Sequence, residues 1–224
     1  MTTAEMNFIC NRKMKIRNSA KFAFFVLSLL VGLVFPWINS TLWEKIIFGC
    51  LLWIDLFVVL LYASESRMKN QRHKNAFYGW QMYFLSWLLL YCTYRVVFNH
   101  YHWLLWIYIG YGIVQSLLWF SGVVYNIYNN KYCNNFSGKS TFNIFTGISI
   151  IIGVAVLITV CFMMSWLGYS GITCGIAVCF FFVHYSLLVS ITFLVQWVLM
   201  VKYNIKNSEE IMQQPGNERG LIED

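Results

Sequence analysis

Charge is scarce in this chain. Asp, Glu, Lys and Arg together supply 11% of 224 residues, against about 25% in ordinary soluble domains. Beside 59% hydrophobic residues, that scarcity argues against a soluble globular domain, because a core of this size cannot hide so much apolar surface. The marks of several function classes are missing as well. Neither G-x-x-x-x-G-K-[ST] nor G-x-G-x-x-G occurs, so an ATP-driven role would need a partner chain. The seven cysteines, Cys10, Cys50, Cys92, Cys133, Cys161, Cys174 and Cys179, form no C-x-x-C pair and no zinc-ligand spacing, which argues against a thiol-redox enzyme or a disulfide framework. The net charge of +7 does not point to nucleic acid, because no basic stripe with base-stacking aromatics lies outside the apolar segments.

Three local strings suggest chemistry and fail on geometry. His100 and His102 stand two apart, where helical side chains point in different directions, so a metal or haem site is not expected. Tyr169-Ser170-Gly171 with His184 holds a nucleophile and a base, but 14 positions along a helix separate them by about 20 Å. Ile109-Gly110-Tyr111-Gly112 looks like part of a potassium-channel filter. It is followed by the apolar run Ile113–Trp119 rather than the turn a filter needs. No catalytic, cofactor-binding or metal-ligating residues are assigned.

What the chain does have is long apolar segments. Six can be drawn: Ala20–Ile38, Ile46–Ser64, Trp80–Asn99, Leu104–Tyr128, Ile144–Trp166 and Thr173–Tyr203. Runs of about 18 or more apolar residues read as membrane-spanning helices. The 14 Tyr, 19 Phe and 10 Trp include the rings expected at the two membrane–water boundaries. The expected fold is all-α, a polytopic membrane bundle of about six transmembrane helices over residues 1–206, with a polar cytoplasmic tail over residues 207–224. The first segment reads as an uncleaved span, since it runs into Phe35-Pro36-Trp37 without a small-x-small cleavage site. Short linkers, His100–Trp103 and Leu167–Ile172, predict antiparallel hairpins, and residues Glu65–Gly79 read as the longest polar loop.

Basic residues set the orientation. With the N-terminus in the cytoplasm, that side holds Arg12, Lys13, Lys15, Arg17, Lys21, Arg67, Lys69, Arg72, Lys74, Lys131, Lys139, Lys202, Lys206 and Arg219, against Lys45 and Arg95 opposite. This positive-inside bias predicts both termini in the cytoplasm. The cluster Arg67, Lys69, Arg72 and Lys74 is expected to meet anionic lipid.

Polar side chains inside the spans carry the functional expectation, since a charge in hydrocarbon costs at least about 2.5–3.5 kcal/mol. The candidates are Asp55, Arg95, Gln115 and His184. Helical rise puts Asp55 about 13 Å and Arg95 about 6 Å from the outer ends of their segments, within reach of pairing. Gln115 and His184 lie deeper, each about 16 Å from the outer end, where they could form a midplane layer with Asp55. These features suggest transport or translocation of a solute, by a carrier or by the membrane subunit of a permease. The alternatives are a non-transporting interaction, assembly or regulatory protein and, third, a lipid-acting enzyme. Partners are expected in the bilayer itself and in a second copy or a partner subunit.

Overall fold

The computed structural model describes residues 1–10, 41–62, 64, 67–98, 104–129, 143–166, 168 and 170–207. Among these residues the fold is all-helical, without strands. In chain order the helices are α1 (Thr3–Cys10), α2 (Leu42–Tyr62), α3 (Gln71–Phe98), α4 (Leu104–Tyr128), α5 (Ile144–Trp166) and α6 (Ser170–Lys202). Four of the described helices are long and apolar enough to cross a membrane: α2, α4, α5 and the Phe182–Lys202 part of α6. The expected segments Leu104–Tyr128 and Ile144–Trp166 coincide with α4 and α5. Segment Ala20–Ile38, the linker His100–Trp103 and the tail beyond residue 207 lie outside the described residues.

The helix ends are specified by local chemistry. Two T-x-x-E boxes open α1 and α2. The Thr2 N–H donates to Glu5 Oε2 at 2.9 Å and the Glu5 N–H returns to Thr2 Oγ1 at 3.3 Å. Thr41 and Glu44 repeat the pattern at 2.7 and 3.3 Å, satisfying N–H groups that a helix start leaves open. Asn143 caps α5 by accepting from the Thr146 N–H at 2.9 Å, while its amide donates to the Gly122 carbonyl of α4 at 2.7 Å. Helix α6 ends at Asn204, whose φ of 53° lets Ile205 N–H reach the Met200 carbonyl at 2.8 Å and Asn204 N–H reach Val201 at 3.1 Å. This is a Schellman stop with Asn in the left-handed position, and Met200 packs on Ile205 beneath it.

The expected polar loop Glu65–Gly79 is mostly helix, a correction to the hydropathy reading. A short 3-10 turn (Arg67–Lys69) leads into α3, which starts at Gln71. Hydropathy marks apolar runs, and the first turn of α3, with Gln71, Arg72, His73 and Lys74, is helical without being apolar.

Helix α3 sits at the centre. It is not among the four apolar helices, yet Ala76, Phe77, Leu88 and Tyr94 are almost wholly buried, because α2, α4 and α6 surround it. Helices α3 and α6 run antiparallel through small and polar contacts. Ser86 Oγ and Ser186 Oγ are 2.6 Å apart and the Asn75 amide donates to Gln196 Oε1 at 3.3 Å. A Cβ on Gly79 would fall 2.9 Å from the Leu194 side chain. Small residues of this kind let membrane helices approach closely.

The N-terminal helix, which hydropathy does not reveal, is docked at one end of this pair. Gln196 donates to the Phe8 carbonyl at 2.9 Å, and Glu5 accepts from the Tyr203 hydroxyl at 2.8 Å with Lys202 Nζ at 3.4 Å. Burial works to raise Glu5, but bonds from the Thr2 backbone, Tyr203 and Thr2 hydroxyls, with the Lys202 charge, outweigh it and hold the carboxyl at about 2. The carboxylate therefore stays ionised and keeps α1 fastened to the end of α6.

Candidate functional site

Helix α2 presents two acids on one face. Glu44 and Asp55 are 11 positions apart, about three turns and about 16 Å along the axis. Both are buried, at 1% and 5% exposure. Antiparallel packing brings them against α3. Arg95 Nη1 lies 3.6 Å from Glu44 Oε2, and Gln81 Nε2 donates to Asp55 Oδ1 at 2.6 Å. The charge pair expected between Asp55 and Arg95 does not form. Glu44, at the first turn of α2, takes the arginine, and Asp55 meets a neutral amide. Among the described residues no cation lies within ion-pair distance of Asp55, while Gln81 Oε1 is buried without a hydrogen bond.

Gln115 and His184 stand elsewhere, in the seam of α4, α5 and α6. Gln115, fully buried, donates to the Ser149 carbonyl at 3.2 Å and accepts from the Ser149 hydroxyl. One turn away on α4, the Tyr111 hydroxyl lies 2.9 Å from His184 Nε2, and His184 Nδ1 lies 2.9 Å from the Phe180 carbonyl. The imidazole rests on Gly153, where an added Cβ would overlap it. Each polar group here is matched by a neighbour, so the seam joins three helices. The four candidates thus divide into an Arg95–Glu44 ion pair, an Asp55–Gln81 bond and a Gln115–His184 seam. Neither bond of Asp55 nor those of the seam link the two regions.

Asp55 also forms part of the wall of a cavity of about 380 Å³ between α2, α3 and α4. Glu44 bounds it toward one end of α2, and Trp80, Tyr83, Trp87, Tyr91 and Tyr108 give it an aromatic lining. A second cavity, of about 470 Å³, lies between α4 and α6 and is bounded by Glu5, Ser116, Phe120 and Val198. Trp80 and Tyr83 belong to both walls. Tyr83 hydroxyl donates to Ser116 Oγ at 3.2 Å, tying α3 to α4 in the wall that the two cavities share. Glu44 and Glu5 stand at opposite ends of the bundle, because α2 and α3 are antiparallel and α1 sits with the end of α6.

Sequence reading missed Glu44 and Gln81, the actual partners of its two charged candidates. The available signal was the T-x-x-E box at Thr41, which fixes Glu44 on the first turn of a helix. Among the described residues no group of three His, Cys, Asp or Glu could hold a metal ion. No protein-family model, curated protein or solved structure matches the chain.

Proposed function

We propose that the chain is a six-span integral membrane protein with both termini cytoplasmic, and that it moves a solute across the bilayer through the space around Asp55. The topology rests on several supports. Arg67, Lys69, Arg72, Lys74, Lys202 and Lys206 gather at the end of the bundle that holds α1, and Lys45 and Arg95 stand at the other. The described residues flanking the expected first span, Cys10 and Thr41, also lie at opposite ends.

The observation that carries the transport reading is the pair of cavities on either side of Trp80 and Tyr83, with a buried carboxylate that no described cation neutralises. Intramembrane acids are expensive, and an ionisable residue inside a span points to a functional site by default. A chain that only needed stable packing would gain from an apolar residue at position 55. The Gln115–His184 seam is a packing element in this account, and the solute route runs past Asp55.

The test is uptake by purified protein in proteoliposomes, over a panel of inorganic and organic cations with matched neutral solutes. At least one class is expected to accumulate above protein-free vesicles, and Asp55→Asn is expected to reduce its rate by about tenfold or more, the scale of a lost charge contact in a dry site. Vesicles no more permeable than protein-free controls across the panel would overturn the reading.

A further inference from the structure

We infer that the cavity beside Asp55 binds a hydrophobic organic cation, with its charge against the Asp55 carboxylate and its apolar body against Trp80, Tyr83 and Trp87. The inference rests on the cavity being the solute site proposed above, and it adds the class of solute. Volume comes first. At about 380 Å³ the cavity falls in the range of about 300–1,000 Å³ that holds small organic molecules.

Charge comes second. Two acids line the cavity, but Glu44 is matched by Arg95 at 3.6 Å, which leaves Asp55 as the carboxylate facing it without a described counter-charge. Gln81 supplies one hydrogen bond and no charge. A buried carboxylate in that state is stabilised by a cation that loses little hydration on entering.

The lining decides which cation. A hard inorganic ion needs several oxygen ligands to replace its hydration shell, and the wall offers one such carboxylate amid aromatic and aliphatic side chains. Indole and phenol faces instead attract a diffuse organic cation, most strongly where water is excluded. Aromatic walls with one acid that no described cation matches therefore favour an ammonium- or phosphonium-type charge on a bulky apolar frame.

The test uses tetraphenylphosphonium on the full-length protein in detergent, read by intrinsic tryptophan fluorescence and by titration calorimetry. Its near-isosteric anion, tetraphenylborate, separates charge recognition from hydrophobic partition and needs no variant. Saturable binding of the phosphonium but not of the borate is expected. Asp55→Asn is expected to weaken it about tenfold or more and Asp55→Glu to retain it, while Leu51→Trp, which fills the cavity, removes it. Equal binding of the two ions, or phosphonium binding unchanged in both Asp55→Asn and Leu51→Trp, would overturn the inference. The two proposals fail separately. Saturable phosphonium binding without uptake of any solute removes transport and leaves the site. Uptake of another solute without phosphonium binding removes the substrate class and leaves transport.

Discussion

Glu44→Gln is expected to destabilise the protein by about 3–5 kcal/mol, and Arg95→Gln by a similar amount, because each breaks a buried ion pair from one side. The pair is 6% and 1% exposed at its side chains, so water cannot take over the lost partner. The double variant Glu44→Gln/Arg95→Gln removes both charges and is expected to recover about half of the summed loss, a coupling of about 3 kcal/mol or greater. Thermal unfolding in detergent, followed by circular dichroism across the four proteins, measures the cycle. A parallel cycle on Asp55 and Arg95 is expected to be additive within about 0.5 kcal/mol, since those residues do not touch. Coupling in the second cycle and additivity in the first would reverse the pairing described above.

Gly153→Ala is expected to cost about 3 kcal/mol or more. An added Cβ overlaps the His184 imidazole, and overpacking of this kind costs about 1–3 kcal/mol. Displacing the ring also breaks its contacts with the Tyr111 hydroxyl and the Phe180 carbonyl, both at 2.9 Å, at about 1–3 kcal/mol for each buried group left unmatched. The second variant His184→Ala makes room for the new methyl. Gly153→Ala should therefore cost less in that background than in the wild type. The same thermal measurement decides it. A neutral Gly153→Ala would mean that the seam is loose and His184 is free to act as something other than a packing residue.

How far these features were legible before the structure depends on what each one asks of the sequence. The end of α4 and the start of α5 were legible because Asn129 and Asn143 interrupt their apolar runs. The start of α3 was not, since Gln71, Arg72, His73 and Lys74 are helical without being apolar. Helix α1 was missed although Thr2-x-x-Glu5 announces a helix start; eight residues give hydropathy too little to count. Counting from the ends of the apolar runs puts Asp55 and Arg95 about 7 Å apart along the axis. Arg95 instead stands beside Glu44, 11 positions and about 16 Å from Asp55, and such counting does not give face. Glu44 and Asp55 share a face of α2, three turns apart, and require two polar partners similarly spaced on an antiparallel neighbour. Arg95 and Gln81, 14 positions apart on α3, meet that requirement to within about one turn. Reading the two acids together, rather than the two charges nearest in depth, would have separated the ion pair from the amide-bound carboxylate.

Thiol accessibility at position 55 tests most directly whether Asp55 faces an open cavity. Asp55→Cys and Ser149→Cys are placed singly in a background lacking the seven native cysteines and exposed to N-ethylmaleimide in reconstituted vesicles. The reagent needs a thiolate, and hence contact with water. The account predicts that Asp55→Cys is modified, while Ser149→Cys, buried in the helix seam, stays unmodified. An Asp55→Cys protein that reacts no faster than Ser149→Cys would contradict it.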